Sequence, residues 1–283
     1  MWTEEQQEVV YSNRYNLNVG FRQAYSRLFH EAYHFRTLIW QYIRRDFVAS
    51  YRGTMLGFLW RVILPLVPVS VYILLYLAGV FSRGVGMPRT LYVVIGMTLW
   101  LLWTNSLSVT MNRFSAEANL LKRVKLPMIV VYLTGLGPIL FDLMLHLALM
   151  VVLLLAFRIP FQWTWLLLPV LMVPIFLFGT GLGILLSFFA VFLKDLKNIV
   201  TVATRYGLFA SCVIFPLPKT GKAGIVLVLN PMYHLIENTR QLVVNGRMDG
   251  WHGYLAVVVL GVLICLYAVK KIVTMEDRLS WAL

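Results

Sequence analysis

The segment Arg44-Arg45-Asp46-Phe47-Val48-Ala49-Ser50-Tyr51-Arg52-Gly53-Thr54-Met55-Leu56-Gly57-Phe58-Leu59-Trp60-Arg61 passes without a linker into Val62-Ile63-Leu64-Pro65-Leu66-Val67-Pro68-Val69-Ser70-Val71-Tyr72-Ile73-Leu74-Leu75-Tyr76-Leu77-Ala78-Gly79-Val80-Phe81. A basic, aromatic lead-in becomes an apolar run of about 25 residues, enough at 1.5 Å per residue to cross a hydrocarbon core of roughly 30 Å. The chain lies on a membrane first and then enters it.

Composition agrees with this reading along the whole length. With 60% hydrophobic and 13% charged residues and a mean hydropathy of +0.76 over 283 residues, the sequence lies far from the make-up of soluble domains. It reads as an all-α polytopic membrane protein. The net charge of +13 beside apolar spans is the basic bias of membrane loops, so nucleic acid is not the expected partner. Cys212 and Cys265 fall inside apolar runs with no metal-ligand spacing; both read as small buried hydrophobes.

Residues 1–20 form a polar N-terminal arm. Glu4, Glu5 and Glu8 leave no apolar core for a cleavable signal peptide, so the arm is expected in the cytosol. From Phe21, apolar positions recur at Tyr25, Leu28, Phe29, Ala32, Phe35, Ile39, Tyr42, Ile43 and Phe47, steps of three and four that mark one helix face. The spacing predicts an amphipathic interface helix over 21–52, its aromatics in the headgroup layer or against a partner surface. Residues 53–283 then hold six spans, at about 57–81, 91–112, 128–157, 164–193, 199–215 and 251–269. Gly179 and Gly183 in span four have the small-xxx-small spacing that permits close helix approach. A short basic helix at 114–125 separates spans two and three. Phe215-Pro216-Leu217-Pro218 ends span five, and the pieces in 216–247 are too short to cross, so they read as a re-entrant or interfacial segment.

Positive charge sets the orientation. Eight Lys and Arg precede span one or open it, four lie in 113–125, three in 194–205 and three in the tail, against seven in the alternate loops. Both termini are therefore expected in the cytosol, and 216–247 outside.

The chain carries no phosphate-binding G-x-x-x-x-G-K-[ST], no G-x-S-x-G, no H-E-x-x-H and no paired carboxylates on one helix. No metal and no catalytic residue is expected, and the chain does not read as an enzyme. Asp142 and His146, one turn apart within span three, mark function by default. They read either as a proton relay or substrate contact, or as a polar pair that closes on itself or on Asn105 or Thr104. Arg205 either snorkels to the cytosolic surface or holds an anionic headgroup. Aromatics crowd spans one to three. A membrane belt explains most of them; the sharper reading makes Tyr72, Tyr76, Trp100, Trp103 and Tyr132 the lining of a glycan conduit, since sugar CH faces stack on aromatic rings.

Arg45-Asp46, Tyr51-Arg52-Gly53-Thr54, Leu56-Gly57-Phe58-Leu59-Trp60 and Leu64-Pro65 resemble the start of span one in the membrane subunits of type-2 ABC exporters, above all those that export O-antigen, capsule and teichoic acid polymers. Asn119-Leu120-Leu121-Lys122-Arg123-Val124-Lys125-Leu126-Pro127, Lys194-Asp195, and Asn230-Pro231 followed by Arg240 continue the similarity in order from about 45 to 245. Phe215-Pro216 departs from it where many relatives have Ser-Pro. The resemblance implies a homodimer with two copies of a separate cytosolic ATPase, which would hold the ATP and Mg, in the cytoplasmic membrane of a bacterium. It makes 114–125 the coupling helix that docks on the ATPase, with Glu117, Asn119, Lys122 and Arg123 as contacts. Arg44, Arg45, Arg52 and Arg205 would lie near the headgroup of a polyprenyl-pyrophosphate-linked polysaccharide at the cytosolic gate. The rivals are a type-2 exporter of drugs or small lipids, a proton-coupled carrier working through Asp142 and His146, and a membrane-embedded glycosyltransferase. The last is disfavoured by the lack of an acidic metal-binding cluster.

Overall fold

The computed structural model describes residues 20–49, 59–79, 87, 89–117, 127–193, 195–218 and 220–280. Among them there are only helices and connecting turns: α1 (Phe21–His34), α2 (Arg36–Ala49), α3 (Leu59–Leu77), α4 (Arg89–Ala116), α5 (Met128–Ala156), a 3-10 turn (Trp163–Leu167), α6 (Leu168–Phe192), α7 (Leu196–Ala210), α8 (Gly221–Leu229), α9 (Pro231–Asn245) and α10 (Trp251–Ser280). Among the described residues four stretches are long and apolar enough to cross a membrane: Arg89–Ala116, Met128–Ala156, Trp163–Ala190 and Trp251–Thr274.

The bundle is built around α6, which lies between α4 and α10. Its glycines explain how. A Cβ on Gly179 would lie 2.8 Å from the Trp103 carbonyl oxygen, and one on Gly183 2.5 Å from that of Leu107. One turn apart, the two glycines seat α4 against α6, as their spacing predicts. Gly181, on the other side of α6, would meet the Cys265 backbone at 3.0 Å, so α10 packs there. Helices α4 and α6 are mostly buried, whereas α5 and α10 expose Leu140, Met144, Val152, Leu155, Leu255, Val259 and Leu263. Exposed aliphatic rows of this length suit lipid rather than water.

The amphipathic segment is two helices rather than one, with a single-residue break at Phe35. Its apolar stripe faces its own chain. Leu28, Phe35, Leu38 and Ile39 pack on a lower core of Phe114, Met128, Ile129, Ile272 and Val273, Ile43 sits against Gly137, and the rings of Phe47 and Phe141 meet edge to face at 5.2 Å. Burial pushes the Tyr25 phenol up to about 12, so it stays protonated and donates to the Leu266 carbonyl at 2.8 Å. Phe29, Tyr33 and Trp40 remain exposed.

Several boundaries differ from the sequence expectation, two of them by five residues or more. Helix α7 stops at Ala210 rather than 215, because Cys212 turns left-handed at φ +53° and the Val213 amide reaches back to the Leu208 carbonyl at 3.2 Å, closing the helix as a Schellman cap does. Helix α10 runs to Ser280 instead of ending near 269. No glycine or proline follows Gly261 within it, and Lys270 lies over the Phe21 ring at 4.4 Å, which ties the helix to α1 just past the expected end.

Candidate functional site

Three polar assemblies stand out in this apolar bundle. The first joins the N-terminal helices to the base. Arg113, in the last turn of α4, lies 2.7 Å from the Asp46 carboxylate of α2 and 3.6 Å from Glu117. Its guanidinium also donates to the Thr134 hydroxyl at 2.8 Å and the Val131 carbonyl at 3.2 Å on α5. Arg45 bridges Asp46 at 2.8 Å and Glu117 at 3.0 Å and lies over the Tyr42 ring at 4.3 Å. Two cations and two carboxylates thus alternate between α2 and the end of α4, and the hydrogen bonds of Arg113 add α5. A Cβ on Gly135 would lie 3.0 Å from the Arg113 stem, so that glycine forms the notch the arginine occupies.

The second assembly lies in the middle of the bundle. Asn105 of α4 donates to the Asp142 carboxylate of α5 at 2.5 Å, which is the neighbouring-span pairing anticipated for Asp142. His146 turns its Nδ1 to the Asp142 carbonyl at 2.7 Å, and its Nε2 is buried with no hydrogen-bond partner among the described residues.

The third closes the opposite end. Arg240 of α9 is fully buried. It pairs with Glu237, lies 3.5 Å over the Tyr92 ring and reaches the Cys212 carbonyl at 3.4 Å. The Tyr92 hydroxyl donates to the same carbonyl at 2.8 Å. That oxygen belongs to the left-handed residue that ends α7, so the knot holds in place a backbone conformation costing about 1–3 kcal/mol. Nearby, Asn230 caps α9 by accepting from the Met232 amide at 3.0 Å, and it donates to Ala210 and Ser211 at 3.1 and 2.9 Å. One side chain therefore ties the start of α9 to the end of α7.

The other anticipated residues separate into three groups. Arg44 and Arg205 are exposed, whereas Arg45 is engaged by Asp46 and Glu117. Trp100, Trp103 and Tyr132 are 4%, 9% and 3% exposed and pack inside the bundle. Trp100 and Trp103 lie 4.7 Å apart, Trp100 backs onto Gly207, and the Tyr132 hydroxyl bonds Ser187 at 2.5 Å. Arg52, Asn119, Lys122 and Arg123, and the side chains of Tyr72 and Tyr76, lie outside the described residues. No group of His, Cys, Asp and Glu able to hold a metal occurs among the described residues. Sequence reasoning passed over Asp46 and Arg113 as partners. The only signal was that each is a charge at the edge of an apolar helix.

Comparison with known proteins places this geometry. Residues 37–244 match the ABC-2 type transporter family. The chain is 28% identical over 252 residues to the O-antigen export system permease protein RfbA of Myxococcus xanthus, covering 87% of this chain and 95% of that one. It is 23% identical over 211 residues to a protein of the same name from Klebsiella pneumoniae, covering 72% and 79%.

Proposed function

We propose, because this chain belongs to the ABC-2 type transporter family, that it is the membrane subunit of an ATP-driven exporter of a lipid-linked polysaccharide. The observation that carries the reading is the similarity to O-antigen export permeases over 95% of the length of one of them. In this reading α3, of 19 residues, makes a full crossing, α7, whose 15 residues reach about 22 Å, makes a partial one that the chain after Ala210 completes, and both termini face the cytosol of a bacterial cell. The unit is a homodimer served by two cytosolic ATPase subunits that bind ATP and Mg. Support for a second copy comes from α7, which has no buried residue and exposes Ile199, Val202, Tyr206 and Phe209. That face meets the partner or borders the path between the two copies. Arg44, Arg52 and Arg205 meet the pyrophosphate headgroup, while Glu117, Asn119, Lys122 and Arg123 meet the ATPase. ATP binding drives export only insofar as it favours one transporter conformation over the other.

Cells lacking the chain are expected to accumulate lipid-linked polymer on the cytosolic side, read as protection from externally added glycosidase. The purified chain is expected to hydrolyse no ATP until the ATPase subunit is added. Hydrolysis by the chain alone, or polymer reaching the outer surface without it, would overturn the reading.

The proton-carrier rival meets a sharper test. Because an amide at 142 still offers Asn105 an oxygen, Asp142→Asn is expected to leave polymer export within about twofold of wild type. A carrier that moves protons through Asp142 would lose transport altogether.

A further inference from the structure

We infer that Arg113 is a positioning residue that locks α2, α4 and α5 into one moving body, so that a push on the connection between α4 and α5 reaches the N-terminal helices. The inference rests on the export reading above and names the residues that carry its motion.

The geometry makes the case. The described chain stops at Glu117, one residue past α4, and resumes at Pro127, one residue before α5. Both ends are held by the same guanidinium. Arg113 lies 3.6 Å from Glu117 on one side and donates to Val131 and Thr134 on the other. Its remaining contact, 2.7 Å to Asp46, runs to α2. Arg45 closes the circuit by joining Asp46 to Glu117. Arg113 is only 11% exposed, so its pairs are screened less by salt than those of surface charges. A planar fork with five donors can serve three helices at once, and a lysine cannot.

Packing supports the same grouping. Helix α5 offers two notches two residues apart, Gly135 against the Arg113 stem and Gly137 against Ile43 of α2, where a Cβ would lie 2.6 Å from the Ile43 side chain. The Gly137 contact leaves little room for α2 to slide along α5, and the Gly135 contact holds the end of α4 to the same helix. Interfaces of this kind shift between discrete arrangements rather than deform smoothly, so α2 is carried along with α5.

The test uses the complete exporter, chain and ATPase together, reconstituted in vesicles with lipid-linked polymer and assayed in parallel for ATP hydrolysis and polymer translocation. Arg113→Gln and Asp46→Asn are each expected to keep hydrolysis within about twofold while lowering translocation about tenfold, the scale of a coupling free energy between two sites. Arg113→Lys should not restore it. A residue that merely holds the fold would lower both rates together with the yield of assembled complex, and that outcome overturns the inference. A second arm links the two helices covalently, with Ile43→Cys shortening the side chain that a Cβ at 137 would meet, and compares the oxidised and reduced states of one variant. A disulfide formed between Ile43→Cys and Gly137→Cys should leave translocation unchanged, because the two helices move as one. Loss of translocation on oxidation, restored by reductant, overturns it. Failure of the wild-type complex to translocate any polymer would refute the export reading instead, which keeps the two failures apart.

Discussion

Arg240→Ala is expected to destabilise the subunit by about 3–5 kcal/mol, the cost of breaking a buried ion pair by removing one partner. The arginine is fully buried and serves three groups at once: the Glu237 carboxylate, the Tyr92 ring and the Cys212 carbonyl. Without it Glu237 keeps its charge in a partly buried position, and Cys212 keeps its left-handed backbone with one donor fewer. Against a total stability of about 5–15 kcal/mol for a typical domain, such a loss is decisive. Graded variants separate the parts. Tyr92→Phe removes only the hydroxyl donated to Cys212 at 2.8 Å and should cost about 1 kcal/mol. Arg240→Met with Glu237→Gln removes both charges and should recover much of the loss, since a buried ion pair is often replaced without penalty. Heating the detergent-solubilised subunit and following monodisperse protein by size exclusion reads the series. An Arg240→Ala subunit that survives heating as wild type does would show the knot to be ornamental.

The knot also shows where sequence reasoning reaches its limit. That α7 ends near 211 could not be read from its residues, because Ser211, Cys212 and Val213 carry no helix breaker. The donors that steady the turn come from Tyr92 and Arg240, about 120 and 28 positions away. The same holds at the base, where Asp46 and Arg113 look like two unrelated interfacial charges until α2 packs along α5 and brings Asp46 to the end of α4. Aromatic side chains were ambiguous for a different reason. Every face of a membrane helix is apolar, so Trp100, Trp103 and Tyr132 carry no periodicity that tells a packed ring from an exposed one. Four of the six expected spans were legible as long apolar helices, since crossing a bilayer demands a run of fixed length whatever the neighbours are. Asp142 was legible too. A carboxylate at that depth must find a partner, and few candidates stood at the right level of an adjacent helix. Gly179 and Gly183 were readable because helix approach depends on spacing along one chain.

That spacing leads to the second large effect. Gly183→Leu is expected to force α4 and α6 apart and to lower the thermal midpoint of the subunit by about 5 °C or more, from a cost of about 1–3 kcal/mol or above for overpacking a core. The space is closed on its most rigid side. A Cβ at 183 would come within 2.5 Å of the Leu107 carbonyl oxygen, which is helix backbone, and would run into the Thr110 hydroxyl. Thr110 cannot rotate away freely, because its hydroxyl is bonded to the Ser106 carbonyl at 2.7 Å. Since α4 carries Tyr92 at one end, Asn105 in the middle and Arg113 at the other, moving it off α6 disturbs all three polar assemblies together. Gly261→Ala is the control. It lies on α10 of the same bundle, where an added Cβ meets Phe178 at 3.5 Å, an ordinary contact, and it should melt close to wild type. Gly183→Ala, with the backbone clash but little bulk, should fall between. If the leucine variant melts with the control, α4 and α6 are not held together by the glycine seat.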